Sequence, residues 1–320
     1  MQATKIDAAG EEQARRQAKT KKKKLSKLER RKILRNWAFI APQFIIFVTL
    51  TLIPLLVATP FLFTDISQFN DPQINPIGLR NFTAIFTDAS VQADYFPALQ
   101  RTVIFVALNY MTVYIFGLSL ALLLYEVGFS GGFFTVVYLP LMVSGLAVGY
   151  IAVMLFSRET GTANQLLLEL GLLKEPIDIF SSEGTTFILP LLVGWRYAGY
   201  NMAIFLAGLL SIPKETIEAA IVDGASYWQR LWKVYFPQMI PSFILATTMC
   251  LIGSFAVFDE LVAMGALYVN PEAKLLSVLF FTYGFQVERL GLGMTLAVIT
   301  FVPLVFVGVA LQRLQRRLQY

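Results

Sequence analysis

The sequence contains no histidine and only one cysteine in 320 residues. The absence of histidine excludes a Ser-His-Asp triad, an H-E-x-x-H metal site and imidazole acid–base catalysis. The single cysteine, Cys250, allows neither a disulfide within the chain nor a thiolate metal cluster, and its apolar surroundings predict a small buried side chain. Most enzyme functions are therefore disfavoured, including catalysis within a membrane, and we predict no catalytic residue, no metal site and no cofactor.

Charged residues are also scarce, at 15% of the chain against 56% hydrophobic residues. A mean hydropathy of +0.62 indicates a membrane protein. The net charge of +5 is unevenly distributed: residues 1–36 carry 13 Lys or Arg and 4 Asp or Glu (+9), and the remainder carries 13 and 17 (−4). The sequence thus predicts a basic tail over residues 1–36, followed by a membrane domain over residues 37–320.

The tail includes four consecutive lysines, Lys21 to Lys24. Such a run is compatible with nucleic-acid binding or with contact to a membrane surface. Because a long apolar segment follows immediately, the favoured interpretation is a cytoplasmic tail in contact with anionic membrane lipid, without a nucleic-acid partner. The charged region is far longer than that of a cleaved signal peptide.

The apolar segments predict an all-α membrane protein. A membrane-spanning helix needs about 20 mostly apolar residues, and six segments reach that length. With the tail in the cytoplasm, six crossings place both termini there, in agreement with the positive charges of Arg313, Arg316 and Arg317. The predicted spans are Ala38–Phe63, Thr102–Tyr125, Phe133–Phe156, Phe187–Leu210, Ser242–Leu267 and Leu292–Leu311.

One predicted outward loop, between Ser157 and Thr186, has its own pattern. Leucines recur at helical spacing within Thr162–Leu173. A short interfacial helix packed on the bundle explains this spacing, and so does a loop that merely covers the bundle.

The segment from Pro213 to Pro241 is predicted to face the cytoplasm as two short helices that meet at Gly224. A proline followed by Glu215 favours a helix start, and glycine permits a sharp bend. Pro237 and Pro241 end the segment and begin the next span. Its surface is predicted to carry four aromatic residues suited to a protein interface, Tyr227, Trp228, Trp232 and Tyr235.

Within this segment the sequence resembles a known family. Glu218-Ala219-Ala220, then Asp223-Gly224-Ala225, then Phe236-Pro237 is similar to the EAA loop of permease subunits from bacterial binding-protein-dependent ABC importers. In that family the loop is a coupling helix that docks on the ATPase subunit. The resemblance implies the six-helix permease fold with a cytoplasmic EAA coupling helix in loop 213–241. It identifies Glu218, Ala219, Ala220, Asp223, Gly224 and Ala225 as the coupling residues.

Other stretches narrow the resemblance to carbohydrate permeases related to the maltose and glycerol-phosphate systems. They include the string that begins Gly78-Leu79-Arg80-Asn81, the pair Leu139-Pro140 and the pair Trp195-Arg196. The sequence departs from that family between Gly265 and Pro271, where relatives commonly carry a T-x-G-G-P-type turn. The resemblance implies a carbohydrate or polyol as the transported solute.

The partners are implied by the resemblance and by one further absence. No G-x-x-x-x-G-K-[ST] run is present, so the chain has no phosphate-binding loop with which to hydrolyse ATP. The family implies separate ATP-binding subunits, a second homologous permease subunit and an extracytoplasmic solute-binding protein, assembled in the bacterial inner membrane. The alternative is an autonomous secondary transporter or channel, which would leave the EAA-like loop without a role.

Arg196 is the only Lys or Arg well inside a predicted span. Placing an arginine at the centre of a membrane helix costs about 2.5–3.5 kcal/mol, so its side chain should face protein or water. One interpretation is a solute-facing patch with Tyr197 and Tyr200, whose rings can stack on a sugar. The other is a structural arginine paired with Asp259 or Glu260. From the family we carry over five substrate-pathway positions, Arg196, Tyr197, Tyr200, Phe255 and Asp259, although Phe255 also fits ordinary helix packing.

Overall fold

The computed structural model describes residues 27–70, 74–128, 131–268 and 273–318. Residues 1–26 of the predicted tail and part of the turn between Gly265 and Pro271 lie outside the described residues. Those that are described are mostly helical, and the β-pairing among them is one isolated bridge between Thr64 and Pro76. The all-α prediction is confirmed. The chain divides into two compact units, Met1–Pro60 and Phe61–Tyr320.

The first predicted span is helical throughout, despite its prolines. A π-helical turn precedes Pro54, and a 3-10 turn contains Pro60; such local adjustments let a membrane helix continue past a proline. The stretch Arg31–Phe63 is 33 residues long and apolar enough to cross a membrane. Its elements are α1 (Lys27–Phe47), the π turn Val48–Leu52, α2 (Ile53–Ala58) and the 3-10 turn Thr59–Phe63.

The second unit is a bundle of long and short helices. In the described part of this unit the helices adjoin the π-helical turns Val113–Leu118, Leu231–Tyr235 and Thr282–Gln286 and the 3-10 turn Leu139–Met142. The helices are α3 (Arg80–Thr87), α4 (Ala89–Thr112), α5 (Ser119–Val127), α6 (Gly131–Tyr138), α7 (Gly145–Phe156), α8 (Thr162–Glu169), α9 (Ser182–Leu210), α10 (Lys214–Val222), α11 (Tyr227–Arg230), α12 (Phe236–Gln238), α13 (Ile240–Phe255), α14 (Asp259–Ala263), α15 (Leu276–Phe281) and α16 (Leu290–Leu318).

Four of the six predicted spans coincide with single helices that can cross a membrane. Besides the first, these are Ala89–Val127, Ile240–Ala263 and Leu290–Arg317 in the described part of the chain. The α6–α7 pair adds a fifth crossing if it counts as one span. The predicted span Phe187–Leu210 lies within the 29-residue helix α9, whose polar residues lower its hydropathy. The structure therefore supports four or five spans, and the count of six stays a prediction.

The third predicted span, Phe133–Phe156, is not one straight helix. It is two helices, α6 and α7, bent by 91°. Val143 and Ser144 between them have extended backbone, and the Ser144 hydroxyl accepts a hydrogen bond from the Ala147 N–H at 3.2 Å. A serine in this position caps the start of a new helix. Pro140 one turn earlier lacks the N–H that would continue the previous helix.

The loop after α7 contains a helix, as one of the two interpretations of Thr162–Leu173 requires. This helix, α8, is held by the Asn164 side chain, which is 1% exposed. Its amide nitrogen donates to the Ile177 carbonyl at 2.8 Å and to the Phe156 carbonyl at 3.2 Å, and its oxygen accepts from the Ile177 N–H at 2.9 Å. These hydrogen bonds tie the whole loop to the end of α7.

Helix α9 packs at the centre of the second unit. Its buried Met202, Phe205 and Leu209 lie in one apolar cluster with the Pro213–Pro241 segment. A Cβ added at Gly199 would lie 2.5 Å from the Val137 carbonyl oxygen, so α6 approaches α9 there as closely as a glycine permits. This central helix therefore positions both Arg196 and the segment that follows it.

Candidate functional site

The segment that resembles the EAA loop folds as two short helices, α10 and α11, on either side of Gly224. Gly224 has φ +76°, a left-handed conformation that favours glycine. The Ala225 N–H donates to the Ala220 carbonyl at 2.9 Å, and the Gly224 N–H donates to the Ile221 carbonyl at 3.0 Å. These bonds satisfy carbonyls at the end of α10, so the glycine stops the helix and turns the chain.

The next helix begins two residues later, at a capping box. The Ser226 N–H donates to the Gln229 side-chain oxygen at 2.8 Å, and the Gln229 N–H donates to the Ser226 hydroxyl at 3.4 Å. This reciprocal pair starts α11. The short stretch Gly224-Ala-Ser226 thus encodes a helix stop and a helix start in three consecutive residues.

The predicted coupling residues lie on the outside of this turn. Glu218, Ala219, Asp223 and Gly224 are exposed, and Ala220 and Ala225 are half-buried. Ile217, on the other side of α10, packs against the apolar cluster beneath it. The EAA-like residues are therefore accessible to a protein partner.

Tyr235 is not at the surface, contrary to the sequence prediction. It is 2% exposed, and its ring packs edge-on against Tyr125, with 5.9 Å between ring centroids. Burial raises the pKa of the Tyr235 hydroxyl, and the nearby Arg230 guanidinium lowers it in part. The helical period places Tyr235 on the inner face of its stretch, whereas Trp228 and Trp232 point outward.

Arg196 forms an ion pair within the bundle. Its Nη1 atom lies 2.6 Å from Oε1 of Glu260, and the two side chains are 15% and 5% exposed. The guanidinium carbon is 5.3 Å from the centroid of the Tyr197 ring, within the range of a cation–π contact. Of the two candidate carboxylates, the partner is Glu260, whereas Asp259 is exposed.

Two glycines allow α14, which carries Glu260, to approach α7. A Cβ at Gly145 would lie 2.8 Å from the Asp259 Cβ and 3.1 Å from the Glu260 carboxyl carbon. A Cβ at Gly149 would lie 2.4 Å from the Glu260 carbonyl oxygen. Gly145 therefore serves close helix packing, which is the usual role of small residues in membrane helices.

A cavity of about 270 Å³ lies between α4, α9 and α13. Tyr197 and Tyr200 line it, whereas Arg196, Phe255 and Asp259 do not. Phe255 packs against a different apolar cluster, around α15 and α16. Sequence reasoning missed three polar residues of the lining, Asn109, Asn201 and Ser254.

The polar residues of this cavity are uncharged and partly hydrogen-bonded to one another. Asn109 donates to the Ser254 hydroxyl at 2.9 Å and to the Cys250 sulfur at 3.5 Å. Asn201 donates to the Tyr197 carbonyl at 3.0 Å. Amides, a hydroxyl and two phenols beside apolar walls can hydrogen-bond and stack on a hydroxylated solute. The signal in the sequence was the presence of polar residues within otherwise apolar helices.

A larger cavity, of about 550 Å³, lies beside the predicted outward loops, between Asp65, helix α3 and Arg289. Arg289 pairs with Asp88 at 3.4 Å near its rim. A hydrogen bond from the Ser90 hydroxyl to Asp88 contributes most to lowering the pKa of that carboxyl. The lining carries charges of both signs, among them Asp65, Arg80 and Arg289.

Comparison with known proteins finds membrane proteins of transport systems, both by family model and by sequence identity. The family model described as "Binding-protein-dependent transport system inner membrane component" matches residues 113–319. The chain is 30% identical over 275 residues to the probable starch degradation products transport system permease protein AmyD of Thermoanaerobacterium thermosulfurigenes, covering 85% of this chain and 91% of AmyD. It is 29% identical to the lactose transport system permease protein LacF of Rhizobium radiobacter, covering 73% and 77% of the two chains.

The fold is also known from solved structures. A chain in the crystal structure of a bacterial ABC transporter involved in the import of the acidic polysaccharide alginate superposes with a TM-score of 0.71. The match covers 90% of this chain and 98% of that one, at 23% identity. This likeness establishes a shared fold.

Proposed function

Because the chain belongs to the family of inner membrane components of binding-protein-dependent transport systems, we propose that it forms half of the membrane pathway of an ATP-driven importer of a sugar or polyol. As a member of that family it is a transport permease and not an enzyme. The observation that carries the proposal is the family match over residues 113–319. This range includes the EAA-like segment and two of the helices around the 270 Å³ cavity, α9 and α13.

A carbohydrate solute is supported by the relatives and by the cavity. AmyD and LacF are named for transport of starch degradation products and of lactose. The described cavity lining combines apolar walls with a few polar side chains and carries no charge. Glu260 neutralises the charge of Arg196, which disfavours an anionic solute at that arginine. We assign the solute contacts to Tyr197 and Tyr200; for Arg196, Phe255 and Asp259 a pathway role stays a prediction.

We assign the partner proteins from the family and from the exposed surfaces of the chain. ATP-binding subunits dock on the exposed side of α10 and the turn, at Glu218, Ala219, Ala220, Asp223, Gly224 and Ala225. A second homologous permease subunit supplies the other half of the pathway. The solute-binding protein docks on the outer side, where the 550 Å³ cavity offers charges of both signs.

We expect a cysteine placed on the coupling segment to cross-link to an ATP-binding subunit. Ala219→Cys, in a Cys250→Ala background, puts a reactive thiol on the exposed side of α10. Leu172→Cys, at a 68% exposed position in the predicted outer loop, is the matched control. Co-expression with the ATP-binding subunits of the same organism, followed by thiol cross-linking and gel analysis, checks the expectation. Equal cross-linking from both positions, or uptake by purified chain in vesicles without any ATPase, would favour an autonomous transporter.

We also expect both ends of the chain and the coupling segment to face the cytoplasm. Reporters fused at residue 1, after Ser226 and after residue 320 should behave as internal, and one inserted near Asn75 should behave as external. The reason is the concentration of Lys and Arg in the first 36 residues and near the C-terminus. An external signal after Ser226 would contradict the six-span topology.

A further inference from the structure

Two tryptophans of the coupling segment form an exposed face of their own. Trp228 and Trp232 are 66% and 64% exposed. They lie four residues apart, and Phe236 follows at the same interval, with its ring 4.8 Å from that of Trp232 between centroids. Residues at this spacing share one side of a helix. We call Trp228, Trp232 and the half-buried Phe236 the aromatic face.

The opposite side of the same helical stretch is buried. Leu231, Tyr235 and Met239 are 5%, 2% and 0% exposed, and they belong to the apolar cluster built on α9. Tyr235 packs on Tyr125, which lies in the last turns of the membrane-length helix Ala89–Val127. The stretch therefore lies level with the end of a membrane span, where the bilayer surface is expected.

The aromatic face immediately precedes the following span. After Met239 the chain enters α13, where Leu245, Met249 and Ile252 are 41%, 41% and 58% exposed. Met249 and Ile252 line the 270 Å³ cavity, whereas Leu245 is not part of its lining. Tryptophan is enriched where a span meets the membrane–water interface, because its ring is apolar and its N–H is polar.

The net charge of the coupling segment changes from negative before Gly224 to positive after it. The stretch from Tyr227 to Gln238 carries Arg230 and Lys233 and no acidic residue. Helix α10 and the residue after it carry Lys214 against three acids, Glu215, Glu218 and Asp223. An anionic lipid surface attracts the first charge pattern and repels the second.

We propose that the aromatic face, with Lys233 beside it, is a membrane anchor that seats the second helix of the coupling segment in the headgroup region of an anionic bilayer. The acidic helix α10 is left for the protein partner. Gly224 separates α11, which binds lipid, from α10, which binds the protein partner. The bilayer therefore fixes the position of α11 and, through the turn, that of α10.

Depth-dependent fluorescence quenching tests the anchor. The full chain has four tryptophans, and a variant with Trp37→Phe, Trp195→Phe and Trp228→Phe keeps only Trp232. In vesicles of phosphatidylcholine and phosphatidylglycerol, lipids spin-labelled near the headgroup should quench Trp232 about twofold more than lipids labelled deep in the chain. The matched control replaces all four by Phe and adds Val222→Trp on α10, where the native side chain is 87% exposed. That tryptophan should be quenched by aqueous acrylamide and not by lipid.

Further measurements keep the anchor falsifiable if the single-tryptophan protein does not fold. In the otherwise native chain, the pair Trp228→Phe and Trp232→Phe should remove the shallow quenching that the aromatic face contributes. Labelled phosphatidylglycerol should quench Trp232 more than labelled phosphatidylcholine, and Lys233→Gln should abolish that preference. Lipid quenching of Trp232 no stronger than that of the Val222→Trp control would overturn the anchor. Loss of its quenching when ATP-binding subunits are added would also overturn it, because the face would then belong to a protein partner.

Discussion

Replacing Gly224 by valine should reduce ATP-driven solute uptake by at least about tenfold, because a β-branched residue resists the left-handed backbone on which the coupling turn depends. Gly224 has φ +76°, and a Cβ there would meet nothing within 4 Å. The strain therefore lies in the backbone, and the chain can relieve it only by changing the angle between α10 and α11. Such a change displaces Glu218 and the neighbouring residues of α10 relative to α11. Uptake into proteoliposomes and co-purification of the ATP-binding subunit measure the effect.

Two variants separate this effect from a general loss of stability. Gly171 in the predicted outer loop has φ +67°, and a Cβ there would likewise have no neighbour within 4 Å, so Gly171→Val introduces comparable strain away from the coupling segment. It should leave ATPase association intact. Gly224→Asn should retain much of the uptake, since asparagine tolerates the left-handed region. Full uptake by Gly224→Val, or equal loss of ATPase association in Gly171→Val, would refute the coupling assignment.

The coupling turn could be predicted from sequence because its determinants are local. Gly224 supplies the left-handed residue, and Ser226 with Gln229 supplies the cap, all within six residues. The positions of the long helices were equally accessible, since apolar length alone marks them. The bend between α6 and α7 was missed because the surrounding run stays apolar, and only Pro140 and Ser144 distinguish it from a continuous helix.

The partner of Arg196 could not be deduced from sequence. Ala256 and Val257 interrupt the helix between α13 and α14, and Phe258 has φ −141°. A helical register extended from Phe255 therefore does not predict which of the next two acids turns inward. The cavity could not be predicted for a related reason. Asn109 and Ser254 are hydrogen-bonded although they are 145 residues apart in sequence, and polar residues in the sequence do not show which helices will be neighbours.

Replacing Arg196 by methionine should impair folding and assembly by about 3–5 kcal/mol, because it leaves the Glu260 carboxylate buried without its counter-ion. Glu260 is 4% exposed overall, and its partner atom lies 2.6 Å away. The recovered yield of monodisperse protein and its thermal unfolding in detergent measure the loss. Asp259→Leu should be milder, since Asp259 is exposed and outside the ion pair.

Adding Glu260→Leu to Arg196→Met should restore assembly, because replacing both members of a buried ion pair by apolar residues is often tolerated. Adding Asp259→Leu instead should not, and this neighbouring carboxylate is the matched control. Uptake then decides what the pair does beyond folding. If the double variant regains assembly and uptake together, Arg196 only joins α9 to α14 beside the cavity, and its assignment to the substrate pathway is wrong. If assembly returns while the apparent KM for the solute stays raised, Arg196 also shapes the pathway through Tyr197, whose ring it contacts.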